Sequence, residues 1–217
     1  MIRTRHLLMG LCLIVLIACA GCKKSAVASL GTPTPISGWE KFVGIGVEIW
    51  LPERYVAIDP NKVPEAVYKE LETTGSEFAW AVPALKEKPE MLRLITLDPT
   101  TTQFKYVPNL VIGMRSDPIL VDVTIDRAVP LYAQAQESVS SNLHVLQQGI
   151  VELGKHRAGR FVLEYTSPSV KTRSVLFLIK DGAIFWELGY TSATENFDRL
   201  LPEFEQSART FVIQPRY

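Results

Sequence analysis

The stretch that decides the fold runs from Val175 to Phe211, VLFLIKDGAIFWELGYTSATENFDRLLPEFEQSARTF. Val175, Phe177 and Ile179 alternate, and so do Ile184, Trp186, Leu188 and Tyr190, the period-two pattern of strands. Asp181-Gly182 between the two runs is the dipeptide of a tight hairpin turn. Ser192 to Glu195 has the spacing of a capping box, and Phe197, Leu200, Leu201, Phe204, Ala208 and Phe211 then form one apolar helical stripe, with Pro202 interrupting that helix or opening its main part. The residues between the alternating ones are also apolar: Leu176, Leu178 and Phe185 here, and Val162 beside Phe161, Leu163 and Tyr165 just upstream. Strands apolar on both sides need cover on both faces. The expected fold class is therefore α+β, an α/β/α sandwich with a central, mostly antiparallel sheet covered by helices on both faces.

Working outward, residues 120–138 read as a helix with Val121, Ile125, Ala128 or Val129, and Tyr132 on one face, kinked or divided at Pro130. Leu92, Leu94 and Thr96 predict a strand, as do Leu110 and Ile112, with 99–109 as loop between them. Pro64 opens a helix carrying Val67, Tyr68 and Leu71 up to Gly75. The segment GIGVEIWLP, 44–52, places Ile45, Val47 and Ile49 on one side of a strand closed by Pro52, and Tyr55–Ile58 is a second short strand. Trp50 and Trp186 are assigned to the core, while Trp39 and Trp80 stay open.

Upstream of Trp39 the pattern changes. Residues 1–6 are a short basic start, and Leu7–Ala18 is apolar throughout. As a helix this stretch spans roughly 18 Å, short of the ~30 Å hydrocarbon core, which suits a secretory signal better than a permanent span. Leu16-Ile17-Ala18-Cys19 resembles the bacterial lipobox, so Cys19 is the expected lipidation site, with Cys22 the alternative. The organisation expected is a signal peptide over 1–18, a lipidated N-terminus and flexible tether over 19–38 containing Pro33 and Pro35, and a globular domain over 39–213. Nineteen flexible residues after Cys19 reach roughly 25 Å. The chain is then extracytoplasmic, held by its lipid to the cell membrane, or to an outer membrane where there is one.

All three cysteines, Cys12, Cys19 and Cys22, precede the domain, which excludes an internal disulfide or a cysteine nucleophile there. Lys+Arg and Asp+Glu both number 23; loss of Arg3 and Arg5 with the leader leaves 21 against 23, and a net charge of −2 offers nothing to nucleic acid. The motifs GxSxG, HExxH, GxxxxGK[ST] and GxGxxG are absent, and Gly44-Ile45-Gly46 precedes a strand, the wrong context for a phosphate cradle. His144 and His156 lack acidic residues at ligand spacing, so no metal or cofactor is expected. Glu70 with Glu72 and Glu203 with Glu205 stand two apart on helices and point to different sides. Glu164 and Glu187 interrupt apolar strands; each either faces outward or needs a partner, for which Arg173 is a candidate. Lys155, Arg157 and Arg160, joined by Lys171 and Arg173, form a possible basic contact surface, with a solvated loop as the plainer reading.

The stretch GVEIWLPERYVAID, Gly46–Asp59, together with the hairpin and closing helix of Val175–Phe211, resembles the PsbP-like family, which includes DcrB-type periplasmic and lipid-anchored proteins. The resemblance covers about Trp39 to Ile213. It implies a non-enzymatic module that binds or helps assemble membrane-associated complexes, and brings no catalytic residues. No segment matches those by which photosystem PsbP proteins contact their complex, so a photosynthetic role does not follow. Function is expected to be that of a non-catalytic binding or assembly-accessory module for an unknown envelope protein complex. The alternative is a carrier or sensor of a small hydrophobic ligand or lipid, in a pocket between sheet and helices lined by Phe161, Tyr165, Phe177, Trp186 and Tyr190.

Overall fold

The computed structural model describes residues 28–30, 37–58, 91–101, 106–116, 121–139, 141–166 and 171–214. The expected helix after Pro64, Glu70, Glu72, Trp80 and the three cysteines lie outside these. In chain order the elements are β1 (Ala28–Leu30), β2 (Trp39–Gly44), β3 (Val47–Pro52), β4 (Val56–Ile58), β5 (Leu92–Leu97), a 3-10 turn (Pro99–Thr101) and β6 (Asn109–Ser116). Then follow α1 (Ile125–Val139), β7 (Leu143–Leu153), β8 (His156–Thr166), β9 (Lys171–Asp181), β10 (Ile184–Ala193), α2 (Thr194–Ala208) and β11 (Val212–Ile213).

Eight strands make one sheet in the order β1-β7-β8-β9-β10-β6-β5-β4, antiparallel everywhere except the β1–β7 pairing. The β9–β10 hairpin is the one read from Asp181-Gly182: Asp181 pairs with Ile184, and Gly182 takes the left-handed φ of 62° that the two-residue turn requires. Alternation along these strands divides the core in two. Val175, Phe177, Ile179, Trp186, Leu188 and Tyr190 face α2, through Phe197, Leu200, Phe204 and Ala208. Phe161, Leu163, Leu178 and Phe185 face α1, through Ile125, Ala128, Val129 and Ala133. Helices on both faces of a central, mostly antiparallel sheet are the sandwich that the two-sided apolar strands predicted.

The α2 face has a second covering layer that alternation did not reveal. Strands β2, β3 and β11 form a separate antiparallel sheet in the order β11-β3-β2, and Phe42, Val47, Ile49 and Leu51 point from it into the α2-side core. Here the expected 44–52 strand is shortened: Gly44 ends β2, Ile45-Gly46 is the turn, and Ile45 is 39% exposed rather than inward. The turn is pinned to the main sheet, because Ile45 N donates to the Arg93 carbonyl at 2.9 Å. Gly44 is required there by close approach, since a Cβ would lie 2.4 Å from the Arg93 carbonyl oxygen. Trp50 alternates with Ile49 and Leu51, so it lies on the outer side of this small sheet, partly exposed, and not in the core.

Both helices run unbroken through their prolines, against the expected division. Pro130 and Pro202 each remove one donor, a cost of about 3 kcal/mol in an isolated helix. Each is outweighed by the buried stripe on either side: Val129 and Ala133 in α1, Leu200 and Phe204 in α2. Helix α1 begins at Ile125, and Val121 stands before it, 49% exposed. The expected capping box is also displaced. Strand β10 passes straight into α2 with Ala193 as the capping residue and no side-chain cap, while the Ser192 hydroxyl donates to the Ala193 carbonyl at 3.2 Å. Finally, Ala28–Leu30 pairs with Val151–Leu153, so part of the expected flexible tether is a strand added to the edge of the main sheet.

Candidate functional site

The five basic residues expected to form one contact surface are divided by strand alternation. Arg157 lies on the α1 side of β8 and makes a two-pronged ion pair with Asp126, the first acidic residue of α1. Arg160, Lys171 and Arg173 lie on the α2 side. Arg160 reaches Glu205 of α2 at 2.8 Å and Gln147 of β7 at 3.2 Å. Lys171 and Arg173 converge on Glu164, at 2.7 and 2.9 Å, and Arg173 also approaches Asp198 at 3.6 Å and lies over the Phe197 ring. Lys155 alone of the five has no ion pair among the described residues and sits in the β7–β8 turn. Arg157, Arg160 and Arg173 thus fasten helices to the sheet, and with Arg157 on the face opposite Arg160, Lys171 and Arg173 the five do not form one surface.

The strand carboxylates are partnered as burial demands. Glu164 stands opposite Arg173 in the β8–β9 register, and its carboxyl is held below the usual range by hydrogen bonds from Lys171 and Arg173. Glu187 pairs with Arg115 at 2.9 Å, one strand away on β6, so the partner of that carboxylate is Arg115 and not Arg173. Burial pushes the nearby Tyr132 hydroxyl far above its ordinary value, helped by the Glu187 charge. Glu203 and Glu205 do point apart: Glu203 pairs with Arg54, Glu205 with Arg160. Arg54 also donates to Asp98 at 2.7 Å, a side chain with no solvent exposure that additionally accepts from Thr100 N at 3.1 Å. Asp98 and Arg54 carried no signal in the sequence; an acid next to Pro99 after an apolar strand reads as a turn residue.

Two concavities walled by described residues bear on a ligand site. One, of about 510 Å³, opens where the β7–β8 and β9–β10 turns meet the end of β6 and β11, with Lys155, His156, Asp181 and Gln214 on its walls. It is broad and open to solvent. His156 is partly buried against Phe211, with ring centroids 6.3 Å apart, and burial followed by the Lys155 charge lowers its pKa from the ordinary 6.5. A folded pKa below the unfolded value means the unfolded chain binds the proton first. Stability from this group is therefore full above about pH 6.5 and falls as the pH drops below that value toward the folded pKa. The expected result is a urea midpoint that declines across this window in the full chain and a flatter profile in His156→Gln. An unchanged slope in the variant would remove His156 from the account.

The second concavity, between α1 and the sheet, holds only about 50 Å³ and is walled by Tyr132, Gln136, Leu176 and Glu187 among others. A pocket for a small ligand needs ~300 Å³ or more. The aromatics expected to line it are on opposite sides of the sheet. Phe161 and Tyr165 face α1, and Tyr165 lines this concavity, whereas Phe177, Trp186 and Tyr190 face α2, where Trp186 meets Phe211 and Tyr190 stacks on Phe204. This concavity is too small to serve as the sheet-to-helix pocket that the hydrophobic-carrier alternative needs. His144 is exposed on β7, away from His156, and no three His, Cys, Asp or Glu side chains converge as metal ligands among the described residues.

No protein-family model matches the chain, and no curated protein matches it in sequence. Solved structures do match in fold. The cyanobacterial PsbP (CyanoP) of Synechocystis sp. PCC 6803 aligns with a TM-score of 0.53 at 10% identity, over 91% of this chain and 98% of that one. LpqN of Mycobacterium tuberculosis, described as involved in cell envelope biogenesis, gives 0.48 at 9% identity over 78% of this chain and 83% of its own. The immunity protein TplEi of the Pseudomonas aeruginosa T6SS gives 0.45 at 9% identity, over 83% and 99%. The first likeness shows that this chain has a PsbP-type fold; at such identity it shows nothing about activity.

Proposed function

We propose that the chain is a lipid-anchored extracytoplasmic protein whose domain serves as a non-catalytic accessory module for a cell-envelope protein complex. The observation that carries the reading is the use made of its charged side chains. Asp98, Asp126, Glu164, Glu187, Glu203 and Glu205 each hold a cation that joins one element to another. Carboxylates committed in this way hold the fold together, whereas an acid or base in catalysis needs a free lone pair or proton at an open site. The PsbP-type fold, on a chain that begins with a basic start, a short apolar stretch and the Leu16–Cys19 box, supports placement at the outer side of a membrane.

The test uses the full chain in its own membrane. The N-terminal peptide is expected to carry a diacylglyceryl group on Cys19, and cross-linking is expected to recover one envelope complex in near-stoichiometric amount. The amount of that assembled complex should fall when the chain is removed. Turnover of a substrate by the purified chain, abolished by changing one of its acids or His156, would sink the accessory reading. Recovery of lipid alone would do the same in favour of a carrier.

A further inference from the structure

We propose that the outer face of the β2-β3-β11 sheet is a membrane-contacting surface, seated in the headgroup region of the bilayer to which the chain is anchored. This rests on the anchoring proposed above. Val43 is 60% exposed and Val212 41%, and the pairing register sets them directly on either side of Glu48. Ile45, in the β2–β3 turn, is 39% exposed. Trp39 and Lys41 share the Val43 side of β2, and Lys41 stands opposite Trp50. Both tryptophans are partly exposed. Aliphatic side chains, tryptophans and a lysine on one surface are the composition of an interfacial contact, in which the indoles lie at headgroup depth. The acid among them is compensated, since Glu48 accepts from Lys41 at 3.1 Å and from Gln214 at 2.9 Å. The face cannot turn its apolar residues inward, because the opposite side of the same strands is already in the core through Phe42, Val47, Ile49 and Leu51.

The path of the chain selects a membrane as occupant. From a lipidated Cys19, eight residues, 20–27, lead to β1, and even fully extended they span at most roughly 28 Å. Six more, 31–36, precede the turn into β2, the strand that supplies three of the six side chains. A domain held this close meets the bilayer at an effective concentration in the millimolar range, so an intrinsic affinity of that order is enough to seat it. Three aliphatic side chains and two half-covered indoles suit such a contact. They fall short of the roughly 800 Å² per partner typical of a stable protein interface.

The experiment measures tryptophan emission of the full chain in phosphatidylethanolamine–phosphatidylglycerol vesicles with and without brominated acyl chains. Quenching by the brominated lipid is expected in the wild type and should be lost in W39F/W50F, leaving the signal of the other tryptophans. V43T/V212T is expected to keep the wild-type urea midpoint, because both positions are exposed and threonine keeps the β-branched side chain, and to sediment with vesicles through its lipid, while its quenching falls about threefold or more. A wild-type chain that sediments yet is quenched no more than W39F/W50F overturns the surface and leaves the anchor standing, and a face that meets a protein instead gives this result. The mass of the N-terminal peptide reports the anchor separately. If it carries no lipid, quenching with excess vesicles still decides: its presence supports the surface and its absence overturns it.

Discussion

Replacing Phe204 by alanine is expected to lower the unfolding free energy of the full chain by about 3–5 kcal/mol, seen as a lower urea midpoint with an unchanged denaturant slope. The ring has no solvent exposure. It stacks on Tyr190 of β10 at 5.2 Å and meets Phe197 two helical turns back at 6.5 Å. Tyr190 in turn donates its hydroxyl to Ser207 at 3.0 Å, and Ser207 donates to the Trp50 carbonyl at 2.7 Å. Helix α2, the main sheet and the small sheet thus meet around this one side chain, and three elements cannot all relax into the same cavity. Phe204→Leu, which keeps most of the volume, should cost about 1–2 kcal/mol. A loss below ~1 kcal/mol for alanine would mean that the junction is not packed as described.

The second large effect is expected at Arg54. This residue joins the corner after β3 to Asp98 at the end of β5 and to Glu203 of α2. The Asp98 side chain is wholly buried, so Arg54→Ala removes a guanidinium from a buried anion and leaves its other partners, Thr100 N among them, to hold the charge. Breaking a buried pair costs about 3–5 kcal/mol; with Arg54 itself one-third exposed the lower end, about 3 kcal/mol, is expected. Adding Asp98→Asn removes the stranded charge. The double variant should therefore be more stable than Arg54→Ala alone by ~1 kcal/mol or more, a coupling that a double-mutant cycle measures directly. Additive losses would show that the guanidinium contributes packing rather than charge.

Much of the fold was legible because alternation reports burial one residue at a time. Val175–Ile179 and Ile184–Tyr190, apolar on successive residues, required cover on both faces, and α1 and α2 provide it. The Asp181-Gly182 turn fixed the register of that hairpin. What alternation does not carry is the partner of a strand. GIGVEIWLP was read as one strand, yet half of the hairpin lies before it in Trp39–Gly44, whose exposed Glu40, Lys41 and Val43 give no apolar alternation. Strand β11 is two residues long, too short for any period. The outer face of that small sheet was hidden for the same reason: Val43 and Trp50 share it through the β2–β3 hairpin, and Val212 joins only through the β11–β3 pairing of segments more than 150 residues apart.

The charged residues show the same limit more sharply. Sequence proximity gathered Lys155, Arg157 and Arg160 into a basic turn, but neighbouring parities of one strand point to opposite faces. Arg157 went to Asp126 and Arg160 to Glu205, residues 31 and 45 positions away. By itself the sequence determined the secondary structure of the last third, the two-sided burial of the sheet and the absence of a thiol from the domain, because each is a property of composition or of local period. Only the tertiary structure decided which acid meets which base, that Ala28–Leu30 joins the sheet edge, and that a second sheet helps cover one face. Those depend on contacts between distant segments, and a contact has no period to read along the chain.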